Sequence, residues 1–238
     1  MSYFVVIPAR FDSSRLPGKP LKDIAGKPMI QHVYENARKS SAEDVVVATD
    51  DSRILDCVEG FGGRAILTSK NHSSGTERVQ EAANILGLSL DDIVVNVQGD
   101  EPLMPPEAIN QVATDLSERR DFDIATLCEP SNKEMENPNI VKVVLNNFGE
   151  ALYFSRAPIP HSPHSNDYLR HIGLYAYRVD ILNKLTAFPI AHYEKLERLE
   201  QLRALAFGIK IYVAVSDLSI PPGIDTPEDL EAIIALVS

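Results

Sequence analysis

The sequence predicts a doubly wound α/β domain interrupted by a β-rich insertion, and three observations carry that prediction. Short β-branched apolar runs alternate with amphipathic stretches through the first half of the chain. The runs are apolar at nearly every position, as strands covered on both faces are. After about residue 129 the pattern changes to longer runs of antiparallel type, joined by Pro- and Asn-rich turns.

Taken in order, strands are expected at 3–7, 44–48 (DVVVA), 64–67, 92–97 (DIVVNV) and 122–127 (FDIATL), with helices at 28–39, 51–60, 74–86 and 105–117. Pro28 and Pro105 suit first helical turns, where a missing N–H is no loss. The second half offers strands at 141–146 (VKVVLN), 151–156 (ALYFSR) and 169–178 (LRHIGLYAYR). Helices follow at 179–186 and 193–207, then a strand at 209–215 and a terminal helix at 227–237. With no repeat and no low-complexity linker, the chain reads as one domain over 1–238, with a β-rich lobe inserted at about 130–190.

Bulk properties narrow the function. The 238 residues carry a net charge of −11, which argues against a nucleic-acid surface. No uncharged run approaches the ~20 residues that span a bilayer. The opening MSYFVVIPAR has no basic region before its apolar run, so it does not read as a signal peptide, and a cytoplasmic protein is expected. Cys57 and Cys128 make neither a disulfide framework nor a zinc set.

Against that acidic background, IPARFDSSRLPGKPLKDIAGKP (7–28) gathers Arg10, Arg15, Lys19, Lys22 and Lys27 beside the first strand. A loop leaving the C-terminal end of a parallel strand is a ligand site in α/β proteins. Arg supplies bidentate contacts to phosphate and Lys a mobile charge, so the loop suits a small polyanion. It matches neither the dinucleotide fingerprint nor the P-loop. NVQGDEP (96–102) then places Asp100 just beyond another buried run, on the same sheet edge, where a carboxylate near phosphates suits Mg²⁺. Gly99 permits close backbone approach. Asp225 in GIDTPEDL (223–230) is a second acid, although capping by Asp225 or Thr226 also explains that stretch. His161 and His164 in PIPHSPHSN read as an exposed loop.

These stretches, together with GKPMIQHV, VVATDD, SSGTERV, PNIVKVVL, ALYFSRAPIP, LRHIGLYAYR and LERLEQLRAL, resemble in order the 3-deoxy-manno-octulosonate (Kdo) cytidylyltransferase family over nearly the whole chain. The resemblance implies a Rossmann-like α/β/α nucleotide-diphospho-sugar transferase fold with a β-rich dimerisation lobe, and a homodimer. It implies a reaction of CTP with an acidic eight-carbon sugar, giving the CMP-sugar for lipopolysaccharide assembly and pyrophosphate, with Mg²⁺ as cofactor. By the same resemblance Arg10, Arg15 and Lys19 cradle the triphosphate, and Ser74, Gly75 and Arg78 help hold the cytidine. Asp100 and Asp225 bind the metal. Gln98, Arg156, His171, Tyr175, Glu200 and Gln201 match positions lining the sugar-acid pocket, with Arg156 facing the sugar carboxylate.

Without the resemblance, His171 and Tyr175 read as core-rim residues on one side of a strand, and Glu200 and Gln201 as a solvated helix face. The segment between Arg156 and His171 is shorter than in many family members, which allows a different sugar such as the 8-amino analogue of Kdo. Two other readings stand beside the first. One is cytidylyl transfer to another acidic sugar such as a sialic acid. The other is a CTP-binding module without catalysis, against which the carboxylate pair speaks.

Overall fold

A computed structural model describes residues 2–12 and 16–237 of the chain. Arg15, one of the expected phosphate ligands, lies outside the described residues.

The first half alternates strand and helix. Strand β1 (Tyr3–Ala9) leads to a 3-10 turn at Lys19–Leu21, a small hairpin of β2 (Asp23–Ile24) and β3 (Lys27–Pro28), and helix α1 (Met29–Ala37). Then come β4 (Asp44–Thr49), α2 (Ser52–Gly60), β5 (Ala65–Leu67), α3 (Gly75–Ile85), β6 (Ile93–Asn96) and α4 (Pro106–Glu118). Pro28 and Pro105 sit one residue earlier than expected, as N-caps rather than within the first turn. Their fixed φ still sets the entry into each helix.

Strands β6, β1, β4 and β5 lie side by side and parallel, so their C-terminal ends share one edge. The chain reverses its direction of winding between β1 and β6, which opens a crevice there.

The second half contributes β7 (Ile124–Ser131), β8 (Lys142–Leu145), β9 (Ala151–Ser155) and β10 (Tyr168–Arg178), then α5 (Val179–Ala187), α6 (His192–Glu197) and α7 (Gln201–Ala206). Strand β11 (Ile211–Val215) and helix α8 (Pro227–Val237) complete it. The sheet order is β11-β7-β10-β6-β1-β4-β5. Strand β10 therefore stands inside the main sheet, antiparallel to β6 on one side and β7 on the other, rather than in a separate lobe. Hydropathy does not reveal this, because a strand covered on both faces is apolar whichever way it runs. Only the β8–β9 hairpin projects from it, with β8 paired to the outer half of β10.

Helices α1, α2 and α4 cover one face of the sheet over a core that includes Ile30, Val33, Ile54, Val58, Ile109 and Val112. On the other face Val79, Ala82, Leu182, Leu185 and Leu202 of α3, α5 and α7 pack around Phe154 and Val94. A smaller cluster of Leu16, Ile24, Met29, Ile224 and Ile233 joins the basic loop to α8.

The single helix expected at 193–207 is two. Arg198 takes a left-handed conformation (φ 54°) and α7 restarts at Gln201. Arginine is an uncommon choice there, so no glycine or asparagine marked the break.

Candidate active site

A cleft of about 350 Å³ lies at the parallel strand ends, lined by Ala9 at the end of β1 and Arg10 after it, Lys19, Gln98 to Asp100 after β6, His72 to Gly75 and Arg78 at the start of α3, and Asp225. The expected nucleotide and metal residues thus converge, Arg15 aside. A Cβ on Gly99 would lie 2.8 Å from the Pro8 carbonyl, so the two strand ends meet main chain to main chain.

The aspartates are 125 positions apart in the sequence, yet both reach one ammonium. Lys19 Nζ donates to Asp100 Oδ2 at 2.5 Å and to Asp225 Oδ1 at 3.2 Å. Main-chain bonding brings their loops together, since Ile224 N donates to the Asp100 carbonyl at 2.8 Å. Arg170 ties the same loop to β10 by donating from Nη2 to the Ile220 carbonyl at 2.7 Å. The capping of α8 falls to Thr226, whose Oγ1 accepts from Asp229 N at 3.2 Å, and the Asp229 carboxylate accepts from the amides of Asp225 and Thr226. The Asp225 carboxylate is therefore not the cap. It turns instead to the cleft.

Arg78 is buried, with its guanidinium donating to Asp50 Oδ2 at 2.7 Å and to Thr68 Oγ1 at 2.6 Å. Ser74 caps α3, its Oγ accepting from Glu77 N at 3.2 Å.

A second hollow of about 80 Å³ adjoins the first through Gln98, which lines both. Tyr175, Tyr177, Glu200, Gln201, Asn96 and Thr76 surround it. Glu200 and Gln201 face this hollow rather than solvent, because the break at Arg198 turns the first turn of α7 inward. Glu200 accepts from Ser74 Oγ at 2.9 Å and from Thr76 Oγ1 at 2.7 Å. Burial raises its pKa against the opposing effect of those hydroxyls.

His171 and Tyr175 do share one side of β10, with rings 5.4 Å apart, but a bulge at Gly173–Leu174 intervenes. Thr126 Oγ1 fills that bulge, lying 3.0 and 2.8 Å from the carbonyls of Ile172 and Leu174 and 3.2 Å from His171 Nε2. Burial pushes the His171 pKa down to about 3, with Arg170 adding to the effect, and raises that of Tyr175 well above its usual range. His171 packs behind Tyr175, against Phe154, and does not line the hollow.

Arg156 departs from expectation. It lines neither cavity, and its guanidinium donates to the carbonyls of Glu197 (2.8 Å), Pro138 (2.8 Å) and Arg198 (3.4 Å). It binds the end of α6 instead of presenting an open fork. His161 and His164 are exposed on the loop after β9, as expected.

Sequence reasoning missed Thr76, Asn96, Tyr177 and Glu101. Glu101 follows Asp100 and packs beside Gly173 and Gly223. Its pKa rises to about 8, by burial first and by Asp100 second, and Oε2 has no hydrogen-bond partner among the described residues. It belongs to the DEP turn that had been read for Asp100 alone. No helix among the described residues is long and apolar enough to cross a membrane.

The chain is similar to known proteins in both sequence and fold. A model of the Cytidylyltransferase family matches residues 4–211. The chain is 53% identical to the 3-deoxy-manno-octulosonate cytidylyltransferase of Cellvibrio japonicus (strain Ueda107), covering 100% of this chain and 98% of that one. It is 52% identical to the protein of the same description from Coxiella burnetii (strain Dugway 5J108-111), covering 99% of each. A solved structure of CMP:2-keto-3-deoxy-manno-octonic acid synthetase complexed with CTP superimposes with a TM-score of 0.93 at 45% identity, over 99% of this chain and 98% of that one. A cytidylyltransferase from Leptospira borgpetersenii serovar Hardjo-bovis (strain JB197), 18% identical with a TM-score of 0.67, shares the fold over 99% of this chain and 86% of its own. With half of its residues shared end to end and the fold superimposing over 99% of its length, the chain belongs to the 3-deoxy-manno-octulosonate cytidylyltransferase family.

Proposed function

We propose that the protein transfers the cytidylyl group of CTP to the anomeric hydroxyl of 3-deoxy-manno-octulosonate or its 8-amino analogue, releasing pyrophosphate and activating the sugar for lipopolysaccharide assembly. The observation that carries this is the convergence of Asp100 and Asp225 on one cation in a cleft that opens beside a second, smaller hollow. Arg10 and Lys19 face the triphosphate and neutralise its charge, while Ser74, Gly75 and Arg78 form the wall against the nucleoside. Gln98, Tyr175, Glu200 and Gln201 orient the sugar, which brings its hydroxyl to the α-phosphorus from the side opposite pyrophosphate.

Two hard carboxylates drawn to the same positive charge suit Mg²⁺, which takes one or two carboxylates and completes its shell with water and phosphate. Asp100 and Asp225 would hold it, and when bound it offsets phosphate charge and acidifies the attacking hydroxyl. The chain would act in the cytoplasm as a homodimer. Leu152 on β9 and Tyr193 and Leu196 on α6 are more than half exposed, and among the described residues β9 is paired only with β8 within the sheet, which suits a second copy of this face.

The test is pyrophosphate release from CTP and Mg²⁺ with Kdo, its 8-amino analogue and a sialic acid compared side by side. Release with one of the first two and not with sialic acid is expected. Silence with all three from well-folded protein would leave the non-catalytic reading in place.

A further inference from the structure

The wall between the two cavities is crossed by one carboxylate. Glu200 lines the small hollow, yet both of its oxygens accept hydrogen bonds from hydroxyls at the start of α3. Ser74 faces the large cleft and Thr76 the small hollow, and they lie 126 and 124 positions from Glu200 in sequence. The base of Glu200 is rigid, because buried Arg203 on α7 donates to both oxygens of Glu194 on α6, at 2.5 and 2.9 Å.

A hydroxyl has a single proton to donate. While Ser74 gives that proton to Glu200 and accepts from Glu77 N, it has none to offer a ligand in the cleft. A polyhydroxylated ligand in the hollow brings donors of its own to Glu200. A ligand hydroxyl that takes the place of Ser74 at Oε1 frees the Ser74 proton for the nucleotide, whose oxygens are acceptors. We propose that Glu200 is a positioning residue that couples the two subsites through Ser74, while Thr76 holds its other oxygen, so that sugar and nucleotide each tighten the binding of the other. The two arrangements differ only in which donor fills Glu200 Oε1, and linkage makes the effect equal in both directions.

This inference rests on the sugar reading of the hollow, and the experiment separates the two. Calorimetric titration of the full chain with CMP, alone and at saturating Kdo, gives the coupling ratio without turnover, because CMP has no pyrophosphate to lose. Kdo should tighten CMP binding about tenfold in the wild type, within the usual range for coupled sites. Ser74→Ala should bring the ratio near one while both ligands still bind, and Ser74→Thr, which keeps the hydroxyl, should restore it. General damage to the wall would weaken both binding events without changing their ratio. Equal CMP affinity with and without Kdo in the wild type, or an unchanged ratio in Ser74→Ala, overturns the coupling alone. Absence of Kdo binding by a wild type that still binds CMP overturns the sugar reading and the coupling with it.

Discussion

The large cleft and the small hollow meet at Gln98 but treat charge in opposite ways. In the cleft, charged groups are answered by partners of opposite sign: Lys19 by Asp100 and Asp225, and Arg78 by Asp50. Around the hollow, burial shifts the ionisable groups toward their neutral forms, His171 down to about 3 and Tyr175 and Glu200 upward. The Tyr175 hydroxyl has no hydrogen-bond partner among the described residues. A site that must hold a polyanion keeps its charges in pairs. One that must read hydroxyl groups keeps its donors and acceptors in a buried wall, where each missing bond is costly.

Four experiments would break or sharpen that contrast. The largest effect is expected at the carboxylate pair. Asp100→Asn or Asp225→Asn should slow pyrophosphate release about a thousandfold, comparable to the loss of other electrostatic groups at reacting centres, with circular dichroism unchanged. Near wild-type turnover would remove that aspartate from the site.

Next comes the paired charge behind the cleft. Arg78→Met leaves Asp50 without its cation and should cost about 3 kcal/mol, lowering Tm by roughly 6–12 °C. A Tm within a degree of wild type would mean that Asp50 finds water instead.

The third concerns pH. The unfolded chain protonates His171 below about pH 6.5, the ordinary value for imidazole, whereas the folded protein resists to about 3. The stability that follows is complete above pH 6.5 and is lost as pH falls toward 3. Between pH 6 and 4, His171→Gln should flatten the stability profile by about one proton, or about 1.4 kcal/mol per pH unit. Denaturation curves with parallel slopes for the two proteins would contradict the buried neutral imidazole.

The smallest effect is at Tyr175. Tyr175→Phe should leave Tm unchanged or slightly higher, since it removes an unpaired buried hydroxyl, while raising KM for the sugar about tenfold. An unaltered sugar KM would assign that hydroxyl to packing.

How much of this was legible in the sequence depended on what each signal reports. Runs such as DVVVA and IVVN reported burial, and burial fixed β4 and β6 to within a residue or two. Burial does not report neighbours, so the entry of β10 between β6 and β7 was not readable. Asp100 and Asp225 were legible as acids at strand ends or loops, but their meeting depends on the Ile224 amide and the Asp100 carbonyl, which no motif encodes. The family resemblance singled out Glu200, which lines the hollow, while its bonds to Ser74 and Thr76 join residues more than a hundred positions apart. Arg156 shows the opposite limit: an arginine matched by position is engaged here by three carbonyls.

Gly99 has a consequence for accuracy. The gap between the root of the cationic loop and Asp100 is set by two peptide units in van der Waals contact, so it cannot drift as side chains change rotamer. The sheet acts as a ruler, and Lys19 is measured against it. Even one methyl group at position 99 would lengthen that ruler and misalign both ends of the reacting nucleotide.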